Sequence, residues 1–227
     1  MKLLILLSFL FCLPLAGFAQ PAQRKFFPYP CSIDDFPNGL RLITVQTDHP
    51  NLVGLYIVVR TGSRNEVEPG RSGYAHFFEH MMFRGSERFT PEQRDAILKR
   101  AGAAVNAYTS DDRTVYHTLF SKEDLEQVME LEADRFQRLK YTPDIYKTEA
   151  RAVLGEYNKN SANPLNKLYE VLRETAFVNH TYKHTTMGFI KDIVDMPNQF
   201  EYSLKFYNRY YRPEYTTILA VGDVTRE

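Results

Sequence analysis

The chain has 227 residues, 44% of them apolar and 25% charged, and its 28 Lys and Arg are balanced by 28 Asp and Glu. A neutral chain with dispersed basic residues carries no electrostatic footprint for nucleic acid or an anionic membrane, so no nucleic-acid partner is expected. It has two cysteines, Cys12 and Cys31, too few for a disulfide framework, and the fold must rest on an apolar core.

The chain opens MKLLILLSFLFCLPLAGFAQ, with one basic residue, an uncharged apolar run from Leu3 to Leu13, then Pro14 and small residues up to Ala19. That layout predicts a secretory signal peptide over 1–19. The apolar run is too short for a membrane-spanning helix, which needs about 20 residues, so no membrane association is expected after cleavage. Cleavage would leave Cys31 as the single cysteine. Residues 20–37 read as an irregular lead-in broken by Pro28, Pro30 and Pro37, and residues 38–227 as one domain.

Asn38-Gly39 marks a turn before LRLITVQT (40–47), and NLVGLYIVVRTG (51–62) follows. Both runs are rich in Val, Ile and Leu, which predicts two strands in a hairpin-like pair. A polar loop leads to GYAHFFEHMMFRG, a helix expected over about 73–84 with Ser72 as its cap. Thr90-Pro91-Glu92-Gln93 combines a cap, a first-turn proline and a glutamine three residues on, so a helix should run from 91 to about 100 and end at Gly102. AAVNAYTS and RTVYHTLFS (103–110 and 113–121) read as a second strand pair, and Ser121 as the cap of a helix through KEDLEQVMELEADRFQRL. Thr142-Pro143-Asp144 begins a long helix carrying Glu149 and Glu156, with a break expected near Asn158–Pro164. Helices around 165–178, 188–195 and 198–210 and a last strand in YTTILAVGDV complete the reading. Strands in antiparallel pairs with helices between them predict an α+β fold, a mainly antiparallel sheet covered by helices.

His76 and His80 are four residues apart, which on a helix places both rings on one face at a spacing that can hold a single metal ion. Glu79 falls beside them, positioned to take a proton from an attacking water. Phe77, Phe78, Met81, Met82 and Phe83 mark the helix as mostly buried, and buried ionisable groups need partners that a cation would supply. Zinc suits imidazole and carboxylate donors, and a catalytic zinc site usually has three protein ligands. Glu149 and Glu156, seven residues and close to two turns apart, face the same way on their helix; either can ligate while the other orients a ligand.

GYAHFFEHMMFRGSERF resembles the signature of the pitrilysin/insulinase-type zinc peptidases, the inverted zincins, in the branch of mitochondrial processing peptidase and its bacterial relatives. NGLRLI, VRTGSRNE, GAAVNAYTSDDRTVYH, EARAVLGEYNKN and YYRPEYTTILAVGDV continue the likeness in the same order. The resemblance implies one Zn2+ per chain held by His76, His80 and Glu156, Glu79 as general base, Glu149 supporting the site, and hydrolysis of peptide bonds without a covalent intermediate. It further implies that a peptide or unfolded-protein substrate adds as an edge strand, with Asn106 and Ala107 as candidate substrate-binding residues. The family often has Gly-Gly before this strand where this chain has Gly102-Ala103, a change that matters only if that position needs positive φ.

Family peptidases close two or more homologous domains around the substrate, and the likeness ends where a first domain ends. A second homologous domain or subunit is therefore the expected partner, and a secreted endopeptidase domain, most naturally of the bacterial periplasm, the expected function. Two alternatives are a non-catalytic binding or assembly subunit of a two-component peptidase and a fragment inactive without its second domain.

Overall fold

The computed structural model describes residues 27–226. The signal peptide read over 1–19 and the start of the lead-in lie outside them. Six strands, β1 (Cys31–Asp35), β2 (Arg41–Gln46), β3 (Leu52–Val59), β4 (Ala104–Thr109), β5 (Thr114–Ser121) and β6 (Thr216–Gly222), form one sheet in the order β1-β2-β6-β3-β5-β4. Every neighbouring pair is antiparallel except β2–β6, which is parallel. Seven α-helices follow the same chain order: α1 (Tyr74–Met81), α2 (Pro91–Arg100), α3 (Leu125–Gln137), α4 (Pro143–Ser161), α5 (Pro164–Ala176), α6 (Ile190–Asp195) and α7 (Phe200–Tyr210). The fold is mixed α+β, one open sheet with helices over it.

Alternation along the strands sets the two faces. Val53, Leu55, Ile57 and Val59 of β3 and Tyr116 and Phe120 of β5 point into the core, where they meet Phe77, Phe78 and Met81 of α1, Val128 and Leu131 of α3, Tyr146, Ala150 and Val153 of α4, and Phe206 and Tyr210 of α7. Burying a large apolar side chain contributes roughly 1.5–3 kcal/mol, so this single continuous cluster is the main stabilising term. The opposite face keeps Ile33, Tyr108 and Leu119 exposed.

Two pairings differ from expectation. The hairpin read for 40–62 does not form: β2 pairs with β1 and β6, and β3 with β5 and β6. β6, apolar and uncharged, enters between them from the far end of the chain, and no local pattern reports an insertion of that sequence separation. The lead-in is not irregular throughout, since Cys31–Asp35 forms β1. Its prolines flank the strand instead of interrupting it, and it lies at the sheet edge where acidic residues are tolerated. Asp35 pairs with Arg41 at 2.7 Å and Asp34 with Arg226 at 2.7 Å.

The capping box of α2 forms as read, with Thr90 Oγ1 accepting from Gln93 N at 3.3 Å and Gln93 Oε1 from Thr90 N at 2.9 Å. Ser121 is not a cap; its hydroxyl bonds Asn51 Oδ1 at 3.1 Å, and a short 3-10 turn over Lys122–Asp124 precedes α3. α4 runs unbroken through Asn158 to Ser161, and Asn163 caps α5 through Leu165 N at 3.0 Å. Gly102 takes φ +59°, whereas Ala103 is not in the left-handed region, so alanine there costs nothing.

Candidate metal centre

The site is built on α1, only eight residues long and nearly all buried. A helix this short is marginal on its own and needs tertiary support. Its start is not capped by Ser72: that hydroxyl donates to Asp192 Oδ2 at 2.6 Å and accepts from Phe189 N at 2.8 Å, tying the chain to the α6 region. Glu66 does the capping from seven residues upstream, accepting from Gly73 N and Ala75 N, both at 2.7 Å. A carboxyl oxygen at a helix N-terminus satisfies donors that have no partner within the helix. Gly73 has φ +90°, a conformation that favours glycine, and a Cβ there would lie 2.4 Å from Ile193 Cδ1 and force that buried side chain to shift.

α4 crosses α1 and presents Glu149 and Glu156 to it. His76 Nε2 lies 3.5 Å and His80 Nε2 3.3 Å from Glu156 Oε2, with the two rings 4.8 Å apart at 84°. The three residues offer one donor atom each, all within 4.8 Å of one another. Glu149 sits on the other side of His80, its Oε2 3.6 Å from Nδ1 and its Oε1 2.7 Å from Arg84 Nε. Glu149 is 3% exposed, whereas the Glu156 side chain is 39% exposed.

Protonation states follow from these surroundings. Burial, and secondarily His80, lowers the His76 pKa to about 4, which keeps that imidazole neutral and its lone pair available. His80 is shifted upward, first by its interaction with Glu149 and then by the nearby charges of Glu156, Glu149 and Glu79, against the effect of burial. Glu79 is pushed up mainly by burial, although Thr109 Oγ1 donates to its Oε2 at 2.6 Å. The donor set fits a catalytic zinc: two imidazole nitrogens and a carboxylate converge, and a second carboxylate faces the outer nitrogen of one histidine.

All the residues singled out in the sequence come to one place except the Asn106 side chain. β4 is the sheet edge beside α1, and two clefts flank the His-His-Glu group along it. One, of about 390 Å³, is lined by His76, Glu79, Ala107, Thr109, Glu156 and Glu170 among others. The other, of about 430 Å³, is lined by Glu79, His80, Phe83, Arg84, Arg94 and the Val105–Ala107 stretch of β4. Ala107 pairs with Tyr116 of the core face, whereas Asn106 pairs with His117 of the opposite face, so the Asn106 side chain leaves the strand on the face away from the metal centre. Its Oδ1 accepts from Ala107 N at 2.9 Å.

Sequence reading missed Thr109, Arg84 and Glu66. Thr109 follows Ala107 by two residues and shares its face, so strand periodicity was a usable signal. Arg84 is one turn beyond His80, also at a readable spacing. Nothing local signals Glu66, because its contact is made by a loop folding back.

Residues 41–189 match the insulinase family (peptidase family M16). The zinc protease PqqE of Helicobacter pylori is 33% identical over 84% of this chain and 43% of its own length. A protease from Helicobacter pylori of known crystal structure superposes with a TM-score of 0.83 at 32% identity, covering 87% of this chain and 47% of that one. The first half of the periplasmic protease PqqL from Escherichia coli gives a TM-score of 0.75 at 27% identity, covering 86% and 43%. The chain spans less than half the length of each of these relatives. Since the matched segment makes up more than half of the chain and the fold is shared with these proteases, the chain belongs to the insulinase family of peptidases.

Proposed function

We propose that this chain is the catalytic half of a secreted zinc endopeptidase that works with a second domain of the same fold. The observation that carries the reading is the convergence of His76, His80 and Glu156 from two separate helices with Glu79 beside them. His76 Nε2, His80 Nε2 and Glu156 would hold the ion. Zinc bound there would supply Lewis-acid polarisation of the scissile carbonyl and make an attacking water more acidic.

The chain's own residues do the rest. Glu79 takes the proton from the attacking water and returns it to the leaving amine nitrogen; burial makes its carboxylate a stronger base than usual, and Thr109 fixes its orientation. Glu149 faces His80 Nδ1 at 3.6 Å, and its charge favours the tautomer that keeps the proton on Nδ1 and leaves Nε2 free to donate its lone pair, while Arg84 holds Glu149 in place. The free edge of β4 offers backbone groups to which an extended peptide can add, with Ala107 facing the site and its N–H, now held by Asn106 Oδ1, the group that a peptide carbonyl would take over. Secretion rests on the leader-like N-terminus, and the described residues contain no helix long and apolar enough to cross a membrane.

The test is zinc content and peptide hydrolysis by the full-length protein, with Glu79→Gln as control. About one zinc per chain in both proteins and hydrolysis only in the wild type are expected. Hydrolysis by the variant at the wild-type rate would remove Glu79 from the mechanism, and absence of zinc from the folded wild type would leave the non-catalytic subunit as the better reading.

A further inference from the structure

The two clefts beside the metal centre differ in charge. The one toward α5 is lined by the carboxylates of Glu79, Glu156 and Glu170 and by no Lys or Arg among the described residues. The one toward α2 has Glu79 as its single lining carboxylate, against His80, Arg84 and Arg94.

Arg94 is the unusual member. It is 5% exposed, and among the described residues its Nε and Nη2 have no hydrogen-bond partner. Its guanidinium stacks 4.8 Å from the centroid of Phe83, which lines the same cleft. The nearest buried carboxylate, Glu132, gives its Oε2 to Arg135, whose Nε donates to it at 2.5 Å, while its Oε1 lies 3.9 Å from Arg94 Nη2, beyond hydrogen-bond distance and without a hydrogen-bond partner among the described residues. Arg135 is itself 2% exposed and stacks on the same Phe83 ring at 5.2 Å. Asp95 reaches Arg94 Nη1 only at 3.5 Å, with its own side chain 77% exposed. Two buried guanidinium groups thus share one buried carboxylate, and the Arg94 charge at the cleft wall is met only by the solvent-exposed Asp95 and by a Glu132 oxygen too distant to accept a hydrogen bond. An unmatched buried charge is costly, and a guanidinium with free donors is best matched by a planar carboxylate.

We propose that Arg94 is a specificity-determining residue that selects an acidic side chain, Asp or Glu, at the substrate position seated between Phe83 and Val105, next to the scissile bond. The proposal rests on the peptidase reading above. Arg84 at the rim adds a second positive charge that draws the carboxylate in, while its Nε stays on Glu149. The carboxylate would complete the Arg94–Glu132–Arg135 cluster, and Phe83 and Val105 would hold the aliphatic stem.

The experiment is a positional scan with the zinc-loaded full-length protein. A short neutral peptide carries Glu or Gln at each position in turn, kcat/KM is measured for the wild type, and Kd is measured for Glu79→Gln. One position should favour Glu over Gln by about tenfold or more, the size expected of a hydrogen bond to a charged group, and the preference should shrink at high salt. In Arg94→Met the Glu/Gln ratio at that position should fall to near one, and in Glu132→Gln, which removes the internal counter-charge, it should rise. A wild-type ratio below twofold at every position overturns the proposal without need of any variant. If the peptides are cut with no such preference, the peptidase reading stands and the acidic subsite falls. If no peptide is cut but the Kd values show the preference, the subsite stands and the catalytic reading falls; if no peptide binds, both fall.

Discussion

The two helices that build the metal centre are made in opposite ways. α4 is 19 residues long and locally specified: Thr142 Oγ1 caps it through Ile145 N at 3.3 Å and Pro143 occupies its first turn. α1 has eight residues, no side-chain cap of its own, a glycine at φ +90° before it and the Glu66 carboxyl from an upstream loop closing its first turn. The helix bearing two of the three candidate ligands is therefore the one whose existence depends on the rest of the fold. Such a division lets the histidines be held by packing while the third donor, half-exposed on a self-sufficient helix, approaches from the other side.

If that division is right, substitutions on α1 that touch the chemistry should have the largest effects. Glu79→Gln is expected to lower kcat by at least 10²–10⁴-fold, the usual contribution of a positioned base, with zinc content unchanged by elemental analysis. His80→Ala should lose the metal altogether, since it removes both the Nε2 donor and the partner of Glu149. On α4 the two glutamates separate the roles. Glu156→Gln should abolish stoichiometric zinc, whereas Glu149→Gln, which acts through His80, should weaken zinc affinity about 10–100-fold. Equal zinc affinity of the two variants in a competition titration with a chelator would erase the distinction between Oε2 of Glu156 and that of Glu149.

The same contrast explains what could be read in advance. The strands from β2 to β6, the α2 and α4 caps and the helical face of His76, Glu79 and His80 are short-range patterns legible in the sequence, whereas β1 is hidden among the prolines that flank it. Glu149 and Glu156 could be placed on one face by spacing, but only the crossing of α4 over α1 shows that Glu156 approaches both imidazoles while Glu149 approaches the outer nitrogen of one. The β2–β3 hairpin failed because β6 intervenes from the far end of the chain, and Ser72 was misread because Asp192, 120 residues away, takes its hydroxyl. The outward turn of Asn106 follows from strand parity once the pairing of β4 with β5 is known.

The most direct probe of how α1 is supported is a pH dependence of stability, which leaves the metal chemistry aside. Glu66 is buried, and that burial, helped by the charge of Asp192 and opposed by the N–H groups of Ala75, Gly73 and Tyr74, raises its pKa to about 8. An unfolded glutamate titrates near 4.3. Between those values the folded state holds a proton that the unfolded state has released, so the Glu66 contribution to stability falls as pH rises through that window, by about 1.4 kcal/mol per unit at most. His184, whose Nδ1 lies 3.7 Å from Glu66, works the other way: burial lowers its pKa, and its contribution improves as pH rises toward the unfolded value. The raw curve mixes the two. Subtracting the urea-unfolding stability of Glu66→Gln from that of the wild type at each pH cancels the His184 part to first order. The difference should favour the wild type most near pH 5 and shrink steadily toward pH 8. A difference that grows with pH would mean that the α1 N-terminus holds Glu66 as a carboxylate throughout, with its two backbone bonds outweighing the cost of burial.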